Sequence, residues 1–253
     1  MTTIPGMPVI GRPRKGWYRL AAAWLATVTV ASASAAGAAG PARVALDGWA
    51  IDQTEVTIGD FARYVQATGV VTEAERQGGG MEYVGGWQRR PGWTWRAPDG
   101  QAQADPRLPA VHLTQPEAEA YCRWAGGTLP TAAQWRQAAY TELRASPPPP
   151  WVRGRTYPWP TGDRPEGANT SGADPWPRAA PAGVTRAGVN GLYDMGANVW
   201  EWVSDARGEE RRTMGGSWWY GPEQMRADVD AWKPANFAAV YIGFRCVYPL
   251  QGR

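Results

Sequence analysis

Two cysteines, Cys122 and Cys246, stand about half the chain apart, and what they do depends on the compartment. Arg12, Arg14, Lys15 and Arg19 precede an apolar run from Leu20 to Val30, which ends in small residues around Ala31-Ser32-Ala33. That order is the pattern of an export signal over residues 1–33, with cleavage expected between Ala33 and Ala39. A membrane anchor is the competing reading. The run is only about half the ~20 residues needed to cross a bilayer, so no stable span is expected once the leader is removed. Export would place the protein in the periplasm or outside the cell, where two cysteines pair by default. The alternative is two buried thiols acting as small hydrophobes.

Removing the leader also changes the charge. It holds four of the 26 basic residues and none of the 23 acidic ones, leaving 22 basic against 23 acidic. A chain so balanced has no basic face for nucleic acid, and none is expected as a partner. Roughly 215 residues remain, enough for one domain with a sizeable core, placed at 45–250. Sixteen Trp, 31 Gly and 23 Pro describe flat aromatic packing and many turns, with few long helices.

Local signals place the elements. Residues 45–55 read as an entry strand. Thr57-Ile58-Gly59-Asp60 opens a helix to about Ala67, with Ile58, Phe61, Tyr64 and Val65 on one stripe and Gly69 as its stop. Residues 78–105 read as a structured loop or short strands. Thr114-Gln115-Pro116-Glu117 is a capping box with a first-turn proline, opening a helix through Cys122 and Trp124 to Gly126-Gly127. Thr131 and Gln134 repeat the device for a helix reaching about Leu143. Pro147 to Pro150 is an extended connector into turn-rich sequence. Short strands are expected at 191–195, 199–204, 212–218 and 241–248.

The segments IDQTEVTIGDFARYV, PAVHLTQPEAEAYCRWAGGTLPTAAQWRQAAY, YPWP, GLYDMGANVWEW, MGGSWW and YIGFRC follow in that order. In this series the chain resembles the formylglycine-generating enzyme, or sulfatase-modifying-factor, superfamily, which also holds ergothioneine-synthase domains and pyoverdine-maturation proteins. The resemblance runs from about Gly48 to Pro249. It implies an α+β, C-type-lectin-like fold with much irregular structure, and a structural disulfide between Cys122 and Cys246.

The same resemblance puts the copper-binding cysteine pair of formylglycine-generating enzymes on Tyr220 and Met225. Neither a phenol nor a thioether replaces a thiolate, which argues against copper and against formylglycine formation. The resemblance implies a calcium site formed by the side chains of Asp194 and Glu201 and the carbonyls of Ala197 and Val199, ligand types that suit a hard cation. It places a second, weaker site near Asn169, where the expected acid falls on Gly183. The family pocket beside the GGS turn would be lined by Trp200, Ser217, Trp218, Tyr220 and Arg226. Tyr220, Ser217 and His112 are the candidate catalytic groups and Trp200, Trp218 and Arg226 the candidate substrate contacts. His112, the single histidine, reads first as a hydrogen-bonded packing residue and only second as a catalytic base. Two functions stay open at this point: an oxidative or tailoring enzyme acting on a peptide or peptide-derived metabolite, or a catalytically empty module binding a peptide, glycan or protein.

Overall fold

The computed structural model describes residues 40–101, 103–172 and 174–250; the export signal expected at 1–33 lies outside them. Where the sequence carries reciprocal caps, helices form. The strands are short and the segments between them largely irregular.

Strands β1 (Arg43–Ala45) and β2 (Trp49–Asp52) form the entry hairpin, narrower than the 45–55 strand expected. Helix α1 (Ile58–Thr68) starts on a Thr57–Asp60 capping box and stops at Gly69, whose φ of +68° suits a left-handed glycine cap. A one-turn helix, α2 (Glu73–Arg76), follows on its own capping box of Thr72 and Glu75. The 78–105 loop contains the hairpin of β3 (Met81–Tyr83) and β4 (Trp87–Arg89). Helix α3 (Gln115–Trp124) matches expectation, whereas α4 (Ala132–Tyr140) ends three residues before Leu143. There the backbone turns extended at Thr141, which bridges Thr156.

The last third is rearranged relative to its sequence reading. Residues 191–195 are not a strand: a 3₁₀ turn at Val189–Gly191 leads into bends, and Asp194 takes a φ of +54°. Strand β5 (Trp200–Arg207) runs longer than expected, and β6 (Glu210–Met214) ends before the Gly215-Gly216 turn. Strand β7 (Asp230–Pro234) was not foreseen. The 241–248 run splits into β8 (Ile242–Gly243) and β9 (Val247–Pro249) around Arg245 and Cys246.

These strands make a three-stranded sheet in the order β1-β2-β9 and a four-stranded sheet in the order β7-β6-β5-β8, with β5 and β8 parallel. The first sheet joins the two ends of the domain. The main core lies between α1, α3 and the second sheet, built on Phe61, Trp95, Tyr121, Trp202 and Phe244. A second core gathers Ile51, Trp135, Tyr140, Leu192 and Val203 around α4. Cys122 and Cys246 are bonded to each other, with Cα atoms 5.5 Å apart, and so tie α3 to the β8–β9 segment. No helix among the described residues is long and apolar enough to cross a membrane.

Candidate functional site

Beneath the GANVWEW segment four carboxylates are buried around one guanidinium. Arg245 is fully buried: its Nε and Nη2 donate to the Glu201 carboxylate at 2.7 to 3.0 Å, and its remaining N–H groups reach the carbonyls of Asp52 and Tyr193. The Trp135 indole donates to Glu201 Oε2 at 2.7 Å. Asp194 accepts from the Gly183 N–H and the Thr185 hydroxyl. Burial raises the Asp194 pKa, and burial together with the Asp194 charge raises that of Glu55 well above the ordinary value. Asp52 is pushed up to about 7 by burial, against hydrogen bonds from the Cys246 N–H and Tyr248 hydroxyl.

The loop above this acid cluster carries three departures from ordinary backbone within five residues: Asp194, Ala197 and Asn198 all have φ between +48° and +66°. Non-glycine residues hold such conformations only where surrounding contacts impose them. The contacts here are a polar relay. Asn198 Nδ2 donates to Glu55 Oε1 at 2.9 Å, and Asn198 Oδ1 accepts from Asn169 Nδ2 and the Ala180 N–H. Asn169 Nδ2 also donates to the Arg178 carbonyl.

That relay anchors an open cleft of about 730 Å³, lined by Thr170, Ser171, Gly172, Asp174, Pro175, Trp176, Pro177, Trp218 and Trp219. Asp174 shapes its rim, because its two carboxylate oxygens accept the N–H groups of Thr170 and Trp176. The Tyr220 carbonyl takes the Ser171 N–H and the Trp218 N–H donates to the Asn198 carbonyl, so rim and GGSWW turn are stitched together.

The expected site residues divide. Trp218 lines the cleft. Tyr220 is not among the lining residues; it is half-buried, edge-on to Trp200 at 6.0 Å and to Tyr241 at 6.1 Å. Ser217 is buried and its Oγ accepts the Trp219 N–H. Trp200 lies in the core, since β5 turns it inward between Tyr220 and the main hydrophobic cluster. Arg226 is exposed, paired with Asp228 and 5.9 Å over the Trp159 ring, not among the residues lining the cleft. Met225 is buried with Ala168 and Ala197.

His112 is fully buried, with Nε2 at 2.8 Å from the Pro98 carbonyl. Burial lowers its pKa to about 4, so the ring is neutral near pH 7. It is not among the residues lining the cleft and packs edge-on against Trp93, which fits the packing role.

The sequence reading did not single out Arg245, Glu55, Asn198, Trp176, Trp219 or Arg178. A weak signal for the rim existed in Asp174-Pro175-Trp176-Pro177, an Asx turn followed by prolines.

Against known proteins, the sulfatase-modifying factor enzyme 1-like domain matches residues 25–250. A formylglycine-generating enzyme of Thermomonospora curvata is 32% identical, over 66% of this chain and 63% of that enzyme. The inactive C-alpha-formylglycine-generating enzyme 2 of Mus musculus is 30% identical, over 82% of this chain and 77% of its own. The structure of PvdO from Pseudomonas aeruginosa superposes with a TM-score of 0.60 over 80% of each chain, at 24% identity, and shares the C-type-lectin-like α+β fold.

Proposed function

The chain belongs to the sulfatase-modifying factor enzyme 1-like family, and from that membership we propose that it is an exported member whose tryptophan-lined cleft captures a peptide or peptide-derived metabolite. The observation that carries this reading is the cleft. Three indoles and two prolines give broad apolar faces, Thr170, Ser171 and Asp174 give a few polar contacts, and that mixture is what a small-ligand site requires.

Formylglycine formation on a thiolate-held copper is not part of the proposal. Both cysteines are consumed in the disulfide, and the resemblance puts the family's second pair on Tyr220 and Met225. The residues present do not fit Cu(I), which selects soft anionic sulfur. A second reading, oxidative or other tailoring of the captured ligand, is favoured by Tyr220, two residues along the chain from the Trp218 wall and with its ring edge-on to Trp200 and Tyr241.

One experiment separates the two. N-acetylated tetrapeptides are titrated into the protein by calorimetry and their masses measured after overnight incubation in air. Saturable binding weakened at least 10-fold by Trp219→Ala, with masses unchanged, is the expected result. A mass change lost in Tyr220→Phe establishes the second reading, and no saturable binding by any peptide overturns both.

Calcium is proposed beneath the same cleft, with the side chains of Asp194 and Glu201 and the carbonyls of Ala197 and Val199 as ligands. Among the described residues no three His, Cys, Asp or Glu side chains are grouped closely enough to hold a metal, so a cation here must draw on carbonyl oxygens. Asp194 is a buried acid beside Glu55 and Glu201 and a bound cation would offset their charge, but both Glu201 oxygens already accept from Arg245 and Trp135, so Glu201 joins a cation only by giving up part of those bonds. Calcium at about 100 times its Kd should stabilise the fold by ~2.7 kcal/mol, or about 5 to 10 °C in Tm for a domain this size. Chelation with EGTA should reverse the rise. A Tm indifferent to both removes the site.

A further inference from the structure

At the Pro177 end of the cleft the charges do not balance. Glu82 is buried, and its carboxylate serves two guanidiniums at once: Arg90 Nε donates at 2.7 Å and Arg178 Nη2 at 2.9 Å. Burial works to raise the Glu82 pKa, but the two guanidinium hydrogen bonds outweigh it and hold the group below the usual value, so it is ionised. Two positive charges therefore share one negative, and one remains over.

The surplus is held at Arg178. Its guanidinium lies between two indoles, 5.0 Å from the Trp93 ring and 5.5 Å from the Trp218 ring that walls the cleft. Its Nη1 is buried and has no hydrogen-bond partner among the described residues. The Trp218 indole N–H is in the same condition. Unpaired buried donors are uncommon and costly, on the order of 1 to 3 kcal/mol each, and more for charged groups. Both orphans are donors, so the missing partner is an acceptor, and the unmatched charge makes it an anion. Arg178 itself is not among the residues lining the cleft; its side chain is 38% exposed and its guanidinium meets the cleft at the Trp218 ring, with Nη1 on the buried side. The backbone is pinned as well: the Arg178 carbonyl accepts from Asn169, whose side chain belongs to the relay under the cleft. Asp174, the acid on the rim, is occupied by the Thr170 and Trp176 N–H groups and supplies nothing to Arg178.

We propose that Arg178 and the Trp218 indole N–H form a carboxylate subsite, so that the cleft selects ligands bearing a carboxylate next to an apolar or aromatic body. The carboxylate takes the free edge of the guanidinium and the indole N–H, and the ligand body lies on Trp218, Trp219 and Trp176. The inference rests on the cleft being the ligand site and adds the chemical class of what it holds. Arg suits the role because its planar fork keeps one edge on Glu82 while presenting the other.

The test uses two probes differing only in charge, N-acetylphenylalanine and its amide, titrated by calorimetry into the intact protein at low salt. The acid should bind at least 10-fold tighter than the amide, and the preference should shrink as NaCl is raised. Arg178→Gln should erase the preference by weakening the acid about 10-fold while leaving the amide unchanged, the amide affinity reporting that the cleft still folds. Trp218→Phe should weaken the acid several-fold more than the amide. Arg90→Gln, which leaves Glu82 to offset Arg178 alone, should shrink the preference without erasing it, because the unpaired Nη1 and indole donors remain. Equal binding of acid and amide overturns the carboxylate subsite and leaves the cleft standing. Binding of neither overturns the subsite and the ligand-capture reading together.

Discussion

Replacing Arg245 with methionine is expected to cost about 3 to 5 kcal/mol, the range for breaking a buried ion pair by removing one partner. The side chain is fully buried and uses every arm: its Nε and Nη2 hold Glu201, and its other N–H groups hold the carbonyls of Asp52 and Tyr193. Without it, Glu201 is left, among the described residues, with the Trp135 indole N–H alone, buried beside the acids Asp194 and Glu55. The loss is attributable to the stranded charge more than to the removed bonds. Adding Glu201→Leu to the Arg245→Met variant should therefore recover much of it, measured by urea unfolding at pH 7 in EGTA. A single-variant loss under about 1 kcal/mol would show that the pair does not organise this region.

The same burial leaves a pH signature at Asp52. Its pKa of about 7 in the folded protein lies above the value of 3.8 that serves for the unfolded chain. The folded state therefore holds its proton longer, and the stability linked to that proton is complete below pH ~4 and is lost as pH rises through about 7. The full swing is on the order of 4 kcal/mol. Asp52→Asn should flatten this part of the profile.

How far the sequence reached depends on how local each signal was. α1, α3 and α4 were legible because a Thr three residues before an Asp, Glu or Gln satisfies the helix start by itself, and no distant contact need be known. The same device at Thr72 and Glu75 marks α2 and went unread, because the helix is a single turn with no apolar stripe. β7 has no alternating pattern, since Asp230 to Lys233 is half-buried on both faces, and pairing with β6 makes it a strand. The 191–195 run looked like a strand on its apolar residues, but Asp194 is held in a left-handed turn by Gly183 and Thr185, contacts invisible to a window of five residues.

The site divides the same way. Trp218 and the Asp194–Glu201 segment could be named from their motifs. Arg245 could not be weighed, because an arginine beside a cysteine reads as surface until four buried carboxylates are known to surround it. Arg178 was likewise one arginine among many, and only the shared Glu82 reveals its surplus charge.

The disulfide was legible from an even cysteine count and the family pattern, and its energetic weight follows from what it closes. Cys122 and Cys246 are 124 residues apart, so the bond restricts an unfolded loop that runs from the last turn of α3 through α4, the cleft and the second sheet. On the chain-entropy model a closed loop of this length contributes ~4 to 5 kcal/mol. For a domain of this size each kcal/mol moves Tm by about 2 to 4 °C, so losing the bond should lower Tm by roughly 8 to 20 °C. The expected variant is the double change Cys122→Ala with Cys246→Ala, which leaves no lone thiol to mispair. Both positions are fully buried, so alanine also removes two small apolar contacts and the loss should fall at the upper end. The Cys246 N–H that donates to Asp52 is backbone and survives the substitution, so the acid cluster should keep that bond. Reduction of the unmodified protein with dithiothreitol should give the same lowered Tm, but only after partial unfolding, because neither sulfur is open to solvent. Equal Tm values for the oxidised protein and the double variant would show that the two cores alone hold α3 to the β8–β9 segment.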